Sequence, residues 1–117
     1  MYETLRPRRG HDFLPPPDQL AVIPGLYAQD GLPATVKLVH LHLFAHFGDW
    51  WITELDREQL LAFGYVRLAA MPECAEWGYI DLTELEAVTD SVGNPVERDL
   101  YWVPVPVAAV EQIPAVG

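Results

Sequence analysis

Residues 76–86, with the sequence EWGYIDLTELE, indicate a strand that passes directly into a helix. The aromatic and β-branched residues of Trp77–Ile80 are typical of a strand. Asp81 and Glu84 have the spacing of a capping box, in which two side chains three positions apart satisfy free N–H groups at the start of a helix. The stretch therefore predicts a strand at Trp77–Ile80 and a helix that begins at Asp81 and ends near Thr89.

Residues 94–101, NPVERDLY, also interleave charged and large apolar side chains. Arg98–Val103 is predicted to be a fifth strand. Pro104 and Pro106 follow it, which indicates the edge of a sheet, where a missing backbone N–H is tolerated. Arg98 stands between two carboxylates in the sequence, so we predict a fixed ion network in this region. Its expected members are Glu54, Glu76, Glu97, Arg98 and Asp99.

Two interpretations of this ion network stay open. A guanidinium group can hold two carboxylates at once, so a network around a half-buried Arg98 would fix the register of the strands. Alternatively, Glu54, Glu76 and Arg98 line a pocket in which a carboxylate pair acts as general acid and base. Ser91 and Thr53 have no adjacent base, so the sequence offers no activated nucleophile.

The remaining elements lie toward the N-terminus. They are predicted as a helix at Asp18–Ile23 and strands at Thr35–Phe44, Trp50–Asp56 and Leu60–Ala70. Gly48 and Asp49 form the turn of a hairpin between the first two strands. Gly64 inside the third strand indicates a β-bulge. In strict alternation Glu54 shares a strand face with Trp50, so we expect its carboxylate to be partly buried.

These elements follow the order α-β-β-β-β-α-β and predict an α+β domain. We expect one antiparallel sheet of about five strands with two short flanking helices. The domain is predicted to cover residues 14–107. Residues 1–13 carry arginines without apolar periodicity and are expected to be a flexible basic tail, and residues 108–117 a loosely held C-terminal tail.

The charge of the chain is strongly negative. Seven basic and 17 acidic residues give a formal net charge of −10, and three of the basic residues lie within the first nine positions. Such a body repels nucleic acid phosphates and favours basic partners. We therefore expect no direct binding to nucleic acid. The acidic surface serves either solubility alone or docking onto a basic protein, for which it could imitate nucleic acid.

The sequence also argues against several other classes of protein. Cys74 is the single cysteine, so no intrachain disulfide forms, which suits a reducing cytoplasm. The apolar run Val36–Phe47 is interrupted by histidines and is too short to span a bilayer. The chain has no phosphate-binding glycine loop and no nucleotide fingerprint, so we expect no cofactor. We predict a cytoplasmic protein without a membrane segment.

Three histidines of the first predicted strand and its turn raise the possibility of a metal site. His40 and His42 are expected on one strand face, and His46 and Asp49 follow in the turn. Imidazole and carboxylate are common zinc ligands. The spacing fits no specific zinc signature, so no metal site is assigned. The alternative is that His40 and His42 are half-buried strand residues.

Aromatic and acidic side chains supply the candidates for a protein interface. The sequence contains four Trp and five Tyr, and we expect most of them in the core. One or two on a sheet face would suit a protein interface. The residues predicted for this interaction surface are Trp50, Trp77, Asp81, Glu84, Glu86 and Asp90.

Several blocks of the chain together resemble one known family, DUF2958, a domain of unknown function. The matching blocks are LY at 26–27, VKL at 36–38, WWITELD at 50–56, AFGYV at 62–66, EWGYIDLTELE at 76–86 and GNPVERDLY at 93–101. The last two are the most specific. The resemblance covers roughly residues 14–102. The histidines at positions 40, 42 and 46 depart from the family pattern, which is usually short of histidine there.

The resemblance implies the kind of genetic element on which the protein is encoded, but it implies no enzymatic reaction. Members of DUF2958 typically occur on plasmids and other mobile elements, often beside antirestriction-type genes, which implies a cytoplasmic accessory protein used during transfer or against host defences. We therefore predict a non-enzymatic protein-binding module whose partner is a protein of the host or of the element, with a basic nucleic-acid-binding surface. The alternative is a small hydrolase-like enzyme built on Glu54, Glu76 and Arg98.

Overall fold

The computed structural model describes residues 1–114, within which the chain forms three short helices and seven strands. The helices are α1 (Arg6–Arg9), α2 (Pro17–Ala21) and α3 (Leu82–Glu86). The strands are β1 (Leu38–Val39), β2 (Leu41–Ala45), β3 (Gly48–Asp56), β4 (Leu61–Leu68), β5 (Glu76–Asp81), β6 (Glu97–Arg98) and β7 (Val105–Pro106). Single 3-10 turns lie at Pro72–Cys74 and Val107–Ala109.

Five strands form one antiparallel sheet in the order β5-β4-β3-β2-β6, and β1 pairs with β7 in a separate ribbon. This arrangement confirms the predicted α+β fold with a five-stranded antiparallel sheet. The predicted helix cap is also present, since Asp81 Oδ1 accepts hydrogen bonds from the N–H groups of Thr83 at 3.0 Å and Glu84 at 3.1 Å. The strand predicted at Arg98–Val103 is shorter, because the chain leaves the sheet after Arg98.

The strand predicted at Thr35–Phe44 is interrupted at His40. Before the break, Val39 belongs to β1 and packs with Trp51 in one core cluster. After it, Leu41 belongs to β2 and packs in the other cluster. The alternation that predicts a shared face for His40 and His42 would also place Val39 and Leu41 on one face, and it is therefore wrong across this point. The break frees β1 to pair with β7, which brings the C-terminal segment over the sheet.

The predicted β-bulge lies on β3, opposite Gly64 rather than at it. Ile52 pairs with Gly64 and Glu54 with Phe63, so Thr53 is the extra residue. A bulge shifts the alternation of side chains by one position, and accordingly Ile52 and Leu55, three positions apart, both lie in the same core cluster. Glu54 is thereby turned toward the loop before β1, away from the position that strict alternation predicts.

Apolar side chains are buried on both faces of the five-stranded sheet. The first core includes residues of the sheet, of α3 and of the segment before β1, among them Phe13, Ile23, Leu43, Trp50, Ile52, Leu82 and Val96. The second core joins the opposite face to the C-terminal segment and contains Val39, Trp51, Tyr65, Val107, Val110 and Ile113. Both terminal segments therefore complete a core.

The two predicted tails differ from what the structure places there. Phe13 is fully buried and Arg9 is 5% exposed, and burying an aromatic side chain of this size stabilises a fold by roughly 1.5–3 kcal/mol. In the predicted C-terminal tail, Val110 and Ile113 are buried. Residues 115–117 of that tail lie outside the described residues. The packed body thus extends beyond the predicted bounds of 14–107.

Candidate functional site

The ion network predicted around Arg98 does not form. Its Nε donates to the backbone carbonyl of Asp12 at 3.3 Å, and within residues 1–114 its guanidinium makes no ion pair with a carboxylate. Burial lowers the pKa of Arg98, and the charges of Asp12 and Glu3 oppose that shift. Its neighbours Glu97 and Asp99 contact histidines instead. Alternation along β6 turns Arg98 away from the face of Glu97.

The residues of the predicted acid–base pocket are also separated. The buried carboxylate of Glu54 accepts hydrogen bonds from the backbone N–H groups of Tyr27 at 2.9 Å and Gln29 at 2.8 Å. Glu76 is exposed on β5, at one edge of the sheet, whereas Arg98 lies on β6 at the other edge. Glu54 therefore anchors a loop, and no catalytic pocket unites these three residues.

A buried ion pair does exist, and the sequence did not identify it. Arg9 Nη1 donates to Glu86 Oε2 at 3.0 Å, and the two side chains are 0% and 2% exposed. Glu86 also accepts from the N–H groups of Thr4 and Leu5 at 2.9 Å each. The prediction that Glu86 belongs to an interaction surface is therefore wrong. Its partner lies 77 positions away, so local spacing could not reveal the pair.

The other members of the predicted surface are distributed between core, cap and solvent. Trp50 is 5% exposed and belongs to the first core, so it offers no contact area. Asp81 caps α3, and Asp90 accepts hydrogen bonds from Asn94 and Val92 in the following turn. Of the remaining two members, Trp77 is half-buried and Glu84 exposed. The acidic side chains here serve chiefly local structure.

The three candidate metal ligands do not converge. His46 is exposed in the turn, and the ring nitrogens of His42 face Asp49 and Asp99. Burial lowers the pKa of His40, whose Nδ1 has no hydrogen-bond partner among the described residues. In the part of the chain that the structure describes, no group of three or more His, Cys, Asp or Glu side chains has the geometry to hold a metal ion.

The imidazole of His42 instead links two segments of the chain. Its Nε2 lies 2.8 Å from Asp49 Oδ1 on β3, and its Nδ1 lies 3.2 Å from Asp99 Oδ2 just after β6. A neutral imidazole has a single N–H, so only the imidazolium donates to both carboxylates. The ring also stacks on Trp51, with centroids 5.3 Å apart and planes inclined by 4°. His42 thus ties the β2–β3 hairpin to the segment that follows β6.

A cleft of about 480 Å³ opens beside this histidine. One side is formed by His42, Asp49, Trp51, Asp99, Tyr101 and Trp102. The other side is formed by the C-terminal segment through Val105, Val110 and Glu111. We call this cleft the His42 groove. Its volume is in the range of clefts that hold small molecules or side chains of a partner.

The His42 groove combines negative charge with apolar surface. Three carboxylates line it, those of Asp49, Asp99 and Glu111, and within residues 1–114 no Lys or Arg lines it. Tyr101 at its rim is 94% exposed and Val103 is 66% exposed. Exposed apolar side chains grouped around a concavity are typical of a binding surface.

The aromatic surface of the groove continues across the same sheet face. Trp51 packs against Tyr65 with centroids 6.1 Å apart, and Tyr65 packs against Trp77 at 5.5 Å. Phe63 stacks on Trp77 at 5.9 Å. Trp51 and Tyr65 are buried beneath the C-terminal segment in the second core. Trp51 thus joins the lining of the groove to this aromatic row.

The groove contains one histidine and three carboxylates among its lining residues. Among the described residues, no Ser, Thr, Cys or Lys lines it, so the aliphatic hydroxyl, thiol and amine nucleophiles of covalent catalysis are missing from it. A histidine acting as general base needs a ring nitrogen within reach of the substrate. Both ring nitrogens of His42 already face Asp49 and Asp99.

The sequence contained only part of the signal for this groove. His42 and Asp49 were grouped as potential metal ligands, and the structure does bring these two together. The sequence predicts an ion network that joins Asp99 to Arg98, its neighbour, rather than to His42. The strand predicted at Arg98–Val103 includes Tyr101 and Trp102, so the sequence does not predict that they line a cleft. Their position depends on β7 pairing with β1, which no local pattern encodes.

Comparison with known proteins places the chain in a family without supplying a function. A family model described as "Protein of unknown function (DUF2958)" matches residues 27–109, more than two thirds of the 117 residues. This match confirms the resemblance drawn from the sequence. No curated protein and no solved structure matches the chain. None of the helices within residues 1–114 has the length and apolar character needed to cross a bilayer.

Proposed function

The chain belongs to the DUF2958 family, whose description gives no function, and we propose that this member is a non-enzymatic module that binds a basic segment of a partner protein. The His42 groove is the binding site in this proposal. The observation that carries it is the combination of three carboxylates with exposed aromatic and aliphatic surface in one cleft. Such a cleft offers a basic segment both charge pairing and apolar contact.

The overall charge supports the same class of partner. With a net charge of −10, the protein attracts basic molecules over a distance and speeds their encounter. The proposed partner is a protein of the host or of a mobile element that carries a basic nucleic-acid-binding surface. The proposal also includes a cytoplasmic location, which the single cysteine suits.

The enzymatic alternative has less support. Glu54, Glu76 and Arg98 lie apart in the fold, and among the described residues no Ser, Thr, Cys or Lys lines the His42 groove. Glu86, one of the four acidic residues of the predicted interaction surface, is buried and is therefore left out of the proposed binding site. The proposed role is therefore recognition of a basic segment in a defined groove rather than by a broad acidic face.

Calorimetric titration with a short acetylated and amidated peptide rich in Arg and Lys tests the proposal. We expect saturable binding that weakens as salt is added, because exposed charges are screened within about 10 Å at 0.1 M ionic strength. Asp49→Asn and Glu111→Gln should each weaken binding by up to about fivefold, the effect of losing one exposed ion pair. Asp49→Asn keeps an oxygen facing His42 Nε2, so the fold is preserved.

Glu58→Gln is the matched control, because this carboxylate is exposed in the β3–β4 turn, away from the groove. It should bind the peptide like the wild type. Equal weakening by Glu58→Gln and Asp49→Asn would show that binding follows net charge alone, and the proposed site would be wrong. Failure of the wild type to bind the peptide at low salt would overturn the proposal altogether.

A further inference from the structure

We propose that the side chain seated in the His42 groove is an arginine of the partner, an inference that rests on the proposed function and names the ligand chemistry of the same site. A guanidinium group is planar, stacks on aromatic rings and forms paired hydrogen bonds with carboxylates. The groove offers aromatic rings and carboxylates side by side. Lysine, a compact and strongly hydrated point charge, uses such a combination less fully.

The groove has one aromatic ring held by a hydrogen bond, that of Trp102, and one exposed ring, that of Tyr101. Trp102 Nε1 donates to the carbonyl of Val39 at 3.0 Å, which sets the position of its ring. The ring of Tyr101 is 94% exposed and forms no aromatic pair within residues 1–114. A guanidinium group that enters the groove can therefore stack on the Tyr101 ring at little cost to the fold.

The carboxylates retain acceptor capacity. Asp49 uses Oδ1 toward His42, and its Oδ2 has no hydrogen-bond partner among the described residues. The side chain of Glu111 likewise makes no hydrogen bond or ion pair there, and the residue is exposed. Asp99 is more occupied, because its two oxygens face His42 and the N–H of Tyr101. Asp49 and Glu111 are thus the acceptors assigned to the guanidinium group.

The cationic side chains near the groove do not neutralise its carboxylates. Three carboxylates line the groove and, among the described residues, no Lys or Arg does, so negative charge remains whichever protonation state His42 has. Arg67 pairs with Asp49 across β3 and β4 in the sheet register but forms no ion pair with it. Lys37 lies over the ring of Trp77 at 5.8 Å and does not line the groove. An incoming arginine therefore meets uncompensated acceptors.

Three peptides that are identical except for one central residue test the inference. That residue is arginine, lysine or citrulline, which has the shape of arginine without its charge. Calorimetry should show the arginine peptide binding about two- to fivefold more tightly than the lysine peptide, the contribution expected of an exposed guanidinium–aromatic contact. The citrulline peptide should bind most weakly.

Tyr101→Leu is the matched variant, because it removes the exposed ring and keeps an apolar side chain of related size. It should bring the affinities for the arginine and lysine peptides together. Equal affinity of the wild type for these two peptides, or an unchanged preference in Tyr101→Leu, would overturn the inference and leave the proposed function standing. Equal binding of citrulline and arginine would also overturn it. If none of the three peptides binds, both the inference and the proposed function are wrong.

Discussion

Arg9 and Glu86 form a buried ion pair of 3.0 Å that joins the N-terminal segment to α3. Arg9 also donates through Nε to the carbonyl of Val96 at 2.7 Å and through Nη2 to the carbonyl of Glu86 at 2.9 Å. Its guanidinium group therefore connects the N-terminal segment to α3 and to the residue before β6. This contact occupies the structural role that the sequence had suggested for Arg98.

Replacing Arg9 by Met should destabilise the protein by roughly 3–5 kcal/mol, because the buried carboxylate of Glu86 then loses its charged partner. Chemical denaturation followed by tryptophan fluorescence measures this difference. Arg98→Met is the matched control and should cost much less, since Arg98 makes no ion pair within residues 1–114. If the two variants were equally stable, the assigned role of the Arg9–Glu86 pair would be refuted.

The stability of the protein should depend on the ionisation of Glu86. Burial raises the pKa of this carboxyl, but hydrogen bonds from Leu5, Thr4 and Arg9 together outweigh burial and hold it below its ordinary value of 4.5. A carboxyl with a lowered pKa in the folded state contributes stability above its unfolded pKa. That contribution is lost as the pH falls through the folded pKa.

Urea denaturation of the wild type and of Glu86→Gln across the acidic range tests this dependence. The wild type should be the more stable of the two at neutral pH, and the difference should shrink once the pH falls below about 4.5. A difference that stays constant from neutral pH down to the acid-unfolding region would show that the charge of Glu86 does not contribute to stability.

Two glycines paired across neighbouring strands should respond differently to the same substitution. A Cβ at Gly64 would clash with the backbone carbonyl of Trp51 beside the bulge, whereas a Cβ at its partner Gly78 meets no atom within 4 Å. Gly64→Ala should cost at least about 1–3 kcal/mol, as overpacking does. Gly78→Ala should be neutral or slightly stabilising, because alanine restricts the unfolded chain. Thermal melts of the two variants that coincide would contradict this account of the bulge.

Features that depend on neighbouring residues were predictable from the sequence. The cap of α3 was predictable because Asp81 lies within three positions of Thr83 and Glu84, whose N–H groups donate to its side chain. Strands β3 and β4 were visible because their aromatic and β-branched residues are flanked by turn residues. The five-stranded sheet follows from such local signals together with short connections between antiparallel strands.

Features that depend on distant contacts were not predictable. The ion-pair partner of an arginine is set by three-dimensional proximity rather than by distance along the sequence. The spacing of residues therefore could not show that Arg9, and not Arg98, forms the buried ion pair. Likewise, the offset at Thr53 turned Glu54 toward the N–H groups of Tyr27 and Gln29, and strict alternation could not foresee it. The His42 groove combines both difficulties, since it requires the C-terminal segment to pack onto the sheet.

Nitrogen–proton correlation spectra of the indole N–H groups test most directly whether the His42 groove binds a basic segment. The chain has four Trp residues, which act as reporters at separate places. Trp51 and Trp102 line the groove, Trp50 lies in the first core and Trp77 lies at the β5 side of the sheet. During titration with the arginine peptide, the signals of Trp51 and Trp102 should shift in a saturable way while those of Trp50 and Trp77 stay in place. Shifts confined to Trp77, or saturation without movement of the Trp102 signal, would contradict the proposed binding site.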